Sequence, residues 1–532
     1  MEKRNRYVVI SLVIVSTLAF VIYAIPNSKG SEDMGMITMF EPDEATMLPY
    51  VYKMISPQPD LLHTIGRFLL PGFYSYGLPH FALSAVVVKV LSWFGQADNM
   101  SLVMLALRQI VSVLPMIAGL WILVYMQDQF KSWRSIALFV FLLSIPAVVQ
   151  NGYWWHPDGL AILFSSLILF FLWKDKRQFG KYFYIAAALT GVLISLKVIG
   201  LFFFLTIGTI LIWALVEKQI SWKQAFGYGL KFILVMALFV LLSSPHLLVP
   251  SHRDIAIKRF LREVNETSKG YGVLYESGLV AGWPTIHAFF GEVWFLLITL
   301  GVSIYSLWDK KQAYLRVLIF TWFIPLSIHI LFFSHFKYQY WMPAVLPFFS
   351  NLILLLPSDK AEWKSKDPKS IVRLLLLLVV LIQFGLFIAR DVQLFSDRNK
   401  RVENNPSISF YHEAVEELAP IDQEMQVYFD YRLYMPGEPG WHIENSFDLL
   451  TYDFINSRNF DLLYLAQQRI WDYLQPSVTG IDPDEFEAAQ EFYRDADNGS
   501  LENYVLLKRD GTALLFIRQD LCEKYYEEDR CK

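Results

Sequence analysis

"YGLPHFALSAVVVKVLSWFG", residues 76–95, decides how this chain is threaded. The segment is apolar and long enough to cross a bilayer, yet it carries His80 and Lys89. If it crosses, every later loop changes sides. If it stays on the outer surface as a juxtamembrane helix, one alternating set of loops is cytoplasmic. That set is "MEKRNR", "QDQFKSWR", "KDKRQFGK", "EKQISWK", "DKKQAYLR" and "PSDKAEWKSKDPKSIVR". The short basic loops then gather inside, as positive charge does in membrane proteins. The opposite set includes "NGYWWHPD", which holds no lysine or arginine. A long outer loop, 247–284, does carry Arg253, Lys258, Arg259, Arg262 and Lys269, but long loops weigh less in this rule.

The expected fold class is therefore an α-helical polytopic membrane protein. The candidate spans are 7–25, 102–126, 135–150, 159–173, 182–197, 199–216, 228–246, 286–308, 314–333, 338–356 and 371–389. That makes about eleven transmembrane helices, with the N-terminus cytoplasmic and the C-terminus outside. Composition agrees: of 532 residues 55% are apolar and only 18% charged. A net charge of −4 speaks against nucleic acid, which calls for a basic face. The first span follows its basic leader as a signal peptide would. "AIPNSKGS" offers only a weak cleavage site, so the span reads as a retained anchor.

Two domains follow: a membrane domain over 1–390, with outer loops 26–101, 151–158 and 247–284, and a small extracytoplasmic α/β domain over 391–532. In the latter "MQVYFDY" and "DLLYLA" read as strands, and "SFYHEAVEELA" and "DEFEAAQEFYRDA" as helices. "YVLLKRDGTALLFIR" reads as a hairpin about Asp510-Gly511. Cys522 and Cys531 either form a disulfide, suited to an oxidising compartment, or stay as two thiols.

This topology collects ionisable residues at the outer boundary: Asp43, Glu44, Arg67, His80, His156, Asp158, Lys197, His246, Arg253, Lys337 and the aromatic Tyr338. Ionisable groups at span ends need a pairing or functional reason. Carboxylates there could serve as a general base on an acceptor hydroxyl, with lysine and arginine holding an anionic leaving group. Each group also has a plainer role. Asp43-Glu44 after Pro42 suits the first turn of a helix, and His156-Pro157-Asp158 suits a turn and cap. Lys197 could snorkel to the interface, and Tyr153 to Trp155 could form an interfacial belt.

The order of these motifs resembles the polytopic C-superfamily glycosyltransferases (GT-C). Within them it is nearest the bacterial group related to protein O-mannosyltransferases and the aminoarabinose transferase. "EPDEA" follows the first span, and "YGLPHFAL" stands where that group has a Pro-rich motif. "ALRQIVSVLPMIAGLWILVYM" resembles its Arg-initiated span, and "SIPAVVQNGYWWHPDGLAILF" carries the loop acid. "GVLISLKVIGLFFF", "SPHLLVP" and "FKYQYWMPAVLP" complete the series over roughly 1–390. The resemblance implies transfer, with inversion, from a polyprenyl-phosphate sugar donor to a lipid, glycan or protein acceptor outside, in a bacterial plasma (inner) membrane. It implies Asp43 as general base or acceptor-orienting acid, with Glu44 beside it and Asp158 as second-loop acid. Lys197, Arg253 and Lys337 would contact the donor phosphate. A divalent metal, Mg or Mn, would draw on Asp43, Glu44, His156 and Asp158, although some members need none. "YGLPHFAL" lacks the family's lysine and second proline, and His80 could replace a phosphate contact. A transporter or flippase, or an inactive glycan-binding scaffold, are the alternatives.

The charge argument is checked by cysteine labelling. Ser500→Cys should react with an impermeant maleimide in intact cells, and Gln178→Cys only after permeabilisation. The reverse pattern would invert the topology.

Overall fold

The computed structural model describes residues 3–269, 277–308, 312–357, 367–446, 449–474 and 483–531. The chain divides into two compact units. The first takes in Met1–Ser28, Pro49–Leu261 and Ser277–Asn399; the second takes in Lys29–Leu48 and the chain from Lys400, with the segment that follows Leu261.

The first unit is helical. Among the described residues six helices are long and apolar enough to cross a membrane: Asn5–Asn27, Met100–Asp128, Val198–Val216, Trp222–Ser243, Ala313–Phe332 and Pro368–Lys400. The pair Leu279–Phe290 and Val293–Trp308, bent by 81°, makes a seventh if it is one span. Length and composition alone do not reach the expected eleven, because several apolar stretches are broken. Residues 135–150 fold as Trp133–Leu143 and Pro146–Asn151, the second helix starting at a proline. Residues 338–356 fold as Tyr338–Phe349 and a 3₁₀ turn, Ser350–Leu355. The decisive segment 76–95 forms the 16-residue helix Leu78–Trp93.

One set of polar groups inside this unit is satisfied internally, as a bilayer interior favours. Arg316, with no exposed surface, donates to Gln127 Oε1 at 2.6 Å and also to Asn351. Gln127 donates to Ser350 Oγ at 2.7 Å and Asn351 to Ser303 Oγ at 2.9 Å. Helices distant in sequence are thus tied at one level. Between them Phe203 stacks on Trp322 at 3.8 Å and Phe323 on Phe348 at 4.0 Å.

The second unit is built on a five-stranded sheet in the order β2-β1-β3-β5-β4. β1 (Met425–Phe429) pairs in parallel with β2 (Trp441–Glu444) and β3 (Leu462–Ala466). β5 (Ala513–Arg518) runs antiparallel to β3 and to β4 (Tyr504–Arg509). Helices on both faces cover β3, every residue of which is buried. The expected hairpin forms, with Asp510 Oδ1 accepting from Thr512 N at 2.7 Å and Ala513 N at 2.9 Å. The strands expected in "MQVYFDY" and "DLLYLA" form over Met425–Phe429 and Leu462–Ala466, and the two expected helices form over Pro406–Leu418 and Pro483–Asn498. β2 was not legible: "WHIE" is a four-residue edge strand with no buried residue, so it lacks an alternating pattern. Cys522 and Cys531 are joined as a disulfide.

Residues 29–48 are held to this unit by side chains. Asp33 caps the helix Met34–Phe40 and accepts from the Tyr434 hydroxyl at 3.0 Å. Burial, then the Asp33 carboxylate, holds the Tyr434 phenol above its ordinary pKa. Arg401 pairs with Glu41 at 3.0 Å and donates to Lys29 O at 2.7 Å.

At the C-terminal end of β1, the buried carboxylate of Asp430 meets the buried guanidinium of Arg469 and accepts from Ala466 N at 2.7 Å. Breaking such a pair leaves an uncompensated charge. Arg469→Met should therefore destabilise this unit by about 3–5 kcal/mol, read as a lowered unfolding midpoint in denaturant.

Candidate functional site

The loop "NGYWWHPDG" places two of the expected residues side by side in the first unit. Asp158 opens the helix Asp158–Asp175, and His156 lies two residues before it. Three contacts fix this loop. Ser112 Oγ donates to His156 O, and His156 N donates to Ser112 Oγ, each at 3.1 Å. Ser112 belongs to a π-helical turn, Arg108–Val113, within the long helix Met100–Asp128. At Gly159 a Cβ would fall 2.2 Å from Ser112 O, so only glycine allows this approach.

Lys197 completes the group. Its backbone is extended (φ −152°, ψ 132°) between the helix Lys181–Leu196 and the turn Val198–Phe202, so the lysine-bearing break read in the sequence is real. There its ammonium meets Asp158 Oδ1, while His156 Nδ1 faces Oδ2 of the same carboxylate. Asp158 has no exposed surface, His156 3% and Lys197 8%. A carboxylate so buried is tolerable because each oxygen has a partner of opposite polarity.

Tyr76 joins from the other side, its hydroxyl 2.6 Å from His156 Nε2. It is positioned by Gly77, where a Cβ would lie 2.7 Å from Ser195 O, two residues before Lys197. Aromatic rings wall the group. His156 stacks on Trp154 at 4.3 Å, and the Lys197 ammonium lies 4.5 Å from the Tyr340 ring centre. The Lys337 ammonium lies 5.8 Å from that ring centre. His80 is buried and stacks on Trp155 at 5.3 Å; neither of its ring nitrogens has a hydrogen-bond partner among the described residues.

The other expected residues fall elsewhere. His246 lies against Tyr74 at 4.4 Å, and Tyr74 in turn contacts His252. Arg253 is exposed and 3.7 Å from Asp254. Tyr338 stacks on Phe289 at 4.5 Å. Arg67 is half-buried near the end of the helix Leu61–Leu69. Asp43 and Glu44 belong to the second unit, in the first turn of the helix Pro42–Ile55; Asp43 is exposed and Glu44 buried. Of the two residues that contact His156 directly, Ser112 was missed, and Tyr76 was seen in the first outer loop but given no role. Neither one tyrosine among the aromatics of "GFYSYG" nor a lone serine in an apolar helix carries a local signal of that contact.

The donor set does not suit a metal at Asp158. Both carboxylate oxygens and both nitrogens of His156 are engaged, and an ammonium already supplies the positive charge. Among the described residues no three His, Cys, Asp or Glu side chains gather to hold an ion.

No family model and no curated protein matches the sequence. Solved structures do. The chain is similar to ArnT from Cupriavidus metallidurans bound to undecaprenyl phosphate, at 12% identity and a TM-score of 0.53, over 96% of this chain and 97% of that one. It is also similar to the archaeal oligosaccharyltransferase AglB from Archaeoglobus fulgidus, in complex with an inhibitory peptide and a dolichol-phosphate. There the identity is 12% and the TM-score 0.55, over 96% of this chain and 74% of that one. The chain thus shares its overall fold with these two proteins, and its long apolar helices are those of an integral membrane protein. The resemblance found in the sequence holds at the level of architecture.

The Lys197–Asp158 pair gives a direct check. Lys197→Met should cost about 3–5 kcal/mol by stranding a buried carboxylate, and adding Asp158→Asn should recover most of the loss. Thermal unfolding in detergent, followed by size exclusion, reads both.

Proposed function

We propose that this chain is a membrane glycosyltransferase that moves a sugar from a polyprenyl-phosphate-linked donor to an acceptor on the non-cytosolic side. The observation that carries the reading is the buried Lys197–Asp158–His156 group, reached through the half-buried Tyr76. The fold supports it, since two neighbours of that fold were solved with undecaprenyl phosphate and with a dolichol-phosphate. The Lys197 ammonium has N–H donors beyond the one on Asp158 to offer an anionic lipid headgroup, and aromatic walls suit a sugar ring.

In this reading Lys197 and Lys337 hold the donor phosphate, with Arg253 and His246 on the approach. Asp43 orients the acceptor hydroxyl, with Glu44 supporting it. A single displacement inverts the anomeric carbon. The shorter and broken helices complete about eleven crossings, with the N-terminus inside and the sheet unit outside. No step is routed through a metal.

Membranes containing the chain should consume a polyprenyl-phosphate sugar. Asp43→Asn and Asp158→Asn should each lower turnover by roughly 10²–10⁴-fold while the protein still elutes as a folded species. Unchanged turnover in both variants removes these acids from the chemistry. Movement of the intact donor across the bilayer without cleavage would instead mark a flippase.

A further inference from the structure

We infer that Tyr76 is a catalytic residue, the outer end of a proton relay that runs through His156 to Asp158 and is closed by Lys197. The inference rests on the transferase reading and adds to it a group that accepts a proton from the acceptor.

The four side chains form one hydrogen-bonded line. Tyr76 Oη lies 2.6 Å from His156 Nε2, His156 Nδ1 faces Asp158, and Asp158 meets the Lys197 ammonium. A carboxylate on Nδ1 fixes the hydrogen there, so Nε2 is the acceptor and the Tyr76 O–H donates to it. Three of the four are buried; Tyr76 alone keeps partial exposure. The relay therefore meets a ligand through a phenol oxygen whose own proton already points inward. The geometry repeats the hydroxyl–imidazole–carboxylate logic of activated nucleophiles, but a tyrosine so placed serves as a base rather than as a nucleophile.

The step balances. An acceptor O–H donates to Tyr76 Oη, and as its oxygen bonds to the anomeric carbon the Tyr76 proton passes to His156 Nε2. The anomeric carbon–oxygen bond to phosphate breaks, and its electron pair leaves on the polyprenyl phosphate. Tyr76 takes the acceptor's proton, so the net proton rests on His156. Before the step Asp158 and Lys197 cancel; after it the group carries one positive charge, which attracts the departing phosphate across a medium of low polarity.

Among the described residues the other groups beside His156 do not compete for that proton. Trp154 stacks on its ring, and Trp155 leads to His80, whose ring centre is 6.1 Å from that of Tyr76. Beyond Lys197 stand Tyr340 and Lys337. None of these is a carboxylate. Ser112, which holds the His156 backbone from both sides, acts as a positioning residue for the relay.

The experiment uses the full chain in lipid nanodiscs, with two readouts. In steady-state assay Tyr76→Phe should lower kcat by about 10²-fold or more, with the KM for donor within about twofold of wild type. In infrared difference spectra with ring-labelled tyrosine, one tyrosine C–O band should shift when the polyprenyl-phosphate donor binds. That band should be absent in Tyr76→Phe and unresponsive in His156→Gln. A Tyr76→Phe chain with wild-type kcat, or a band that ignores His156→Gln, overturns the relay while leaving the transferase reading intact. A wild-type chain that consumes no polyprenyl-phosphate sugar overturns the transferase reading and, with it, the role of Tyr76 as base.

Discussion

A carboxylate with no access to water must be paired or lose its charge, and in the first unit Asp158 is such a carboxylate. Its two partners come from different places in the chain, Lys197 from the next helix end and His156 from its own loop. Much of the local architecture reads as the means of bringing them there. The helix Lys181–Leu196 stops so that Lys197 can extend. The long helix Met100–Asp128 takes a π turn where its Ser112 receives His156. Such a turn displaces backbone groups from the regular ladder, and it is kept only where the surroundings compensate. Here the compensation includes the close packing of Ser112 against Gly159.

The same rule of internal satisfaction explains the second polar centre of that unit. Arg316 is surrounded by amide and hydroxyl groups of Gln127, Asn351 and Ser350, directly or through one of them. Among the described residues these contacts tie helix ends through amides and hydroxyls. The Asp158 group differs in holding a negative charge, a titratable imidazole and an opening at Tyr76. That difference, more than burial itself, separates a candidate reactive site from a fastening between helices.

The sheet unit obeys soluble-protein rules. Its parallel strands β2, β1 and β3 bury a continuous apolar strand between helices, and its antiparallel hairpin closes the other edge. The buried pair of Asp430 and Arg469 stands at the end of β1, where it also receives Ala466 N from β3. The segment 29–48 is pinned to this unit by Asp33, Glu41 and Arg401, so the acids of "EPDEA" are held by a soluble fold.

Read alone, the sequence determined whatever depends on neighbouring residues. Long apolar runs made membrane helices, Asp510-Gly511 made a hairpin, and alternating or wholly apolar short runs made β1 and β3. The break at Lys197 was legible because a charge interrupts an apolar stretch. What the sequence could not supply was partnership over distance. Asp158 and Lys197 are 39 residues apart, and His156 and Tyr76 are 80 apart. Only the packing of helices decided that the lysine would neutralise that acid and that Tyr76 would face that imidazole. Hydropathy and turn chemistry are local properties of the chain. Charge compensation is set by which surfaces meet when the helices pack, and no single stretch of residues encodes it.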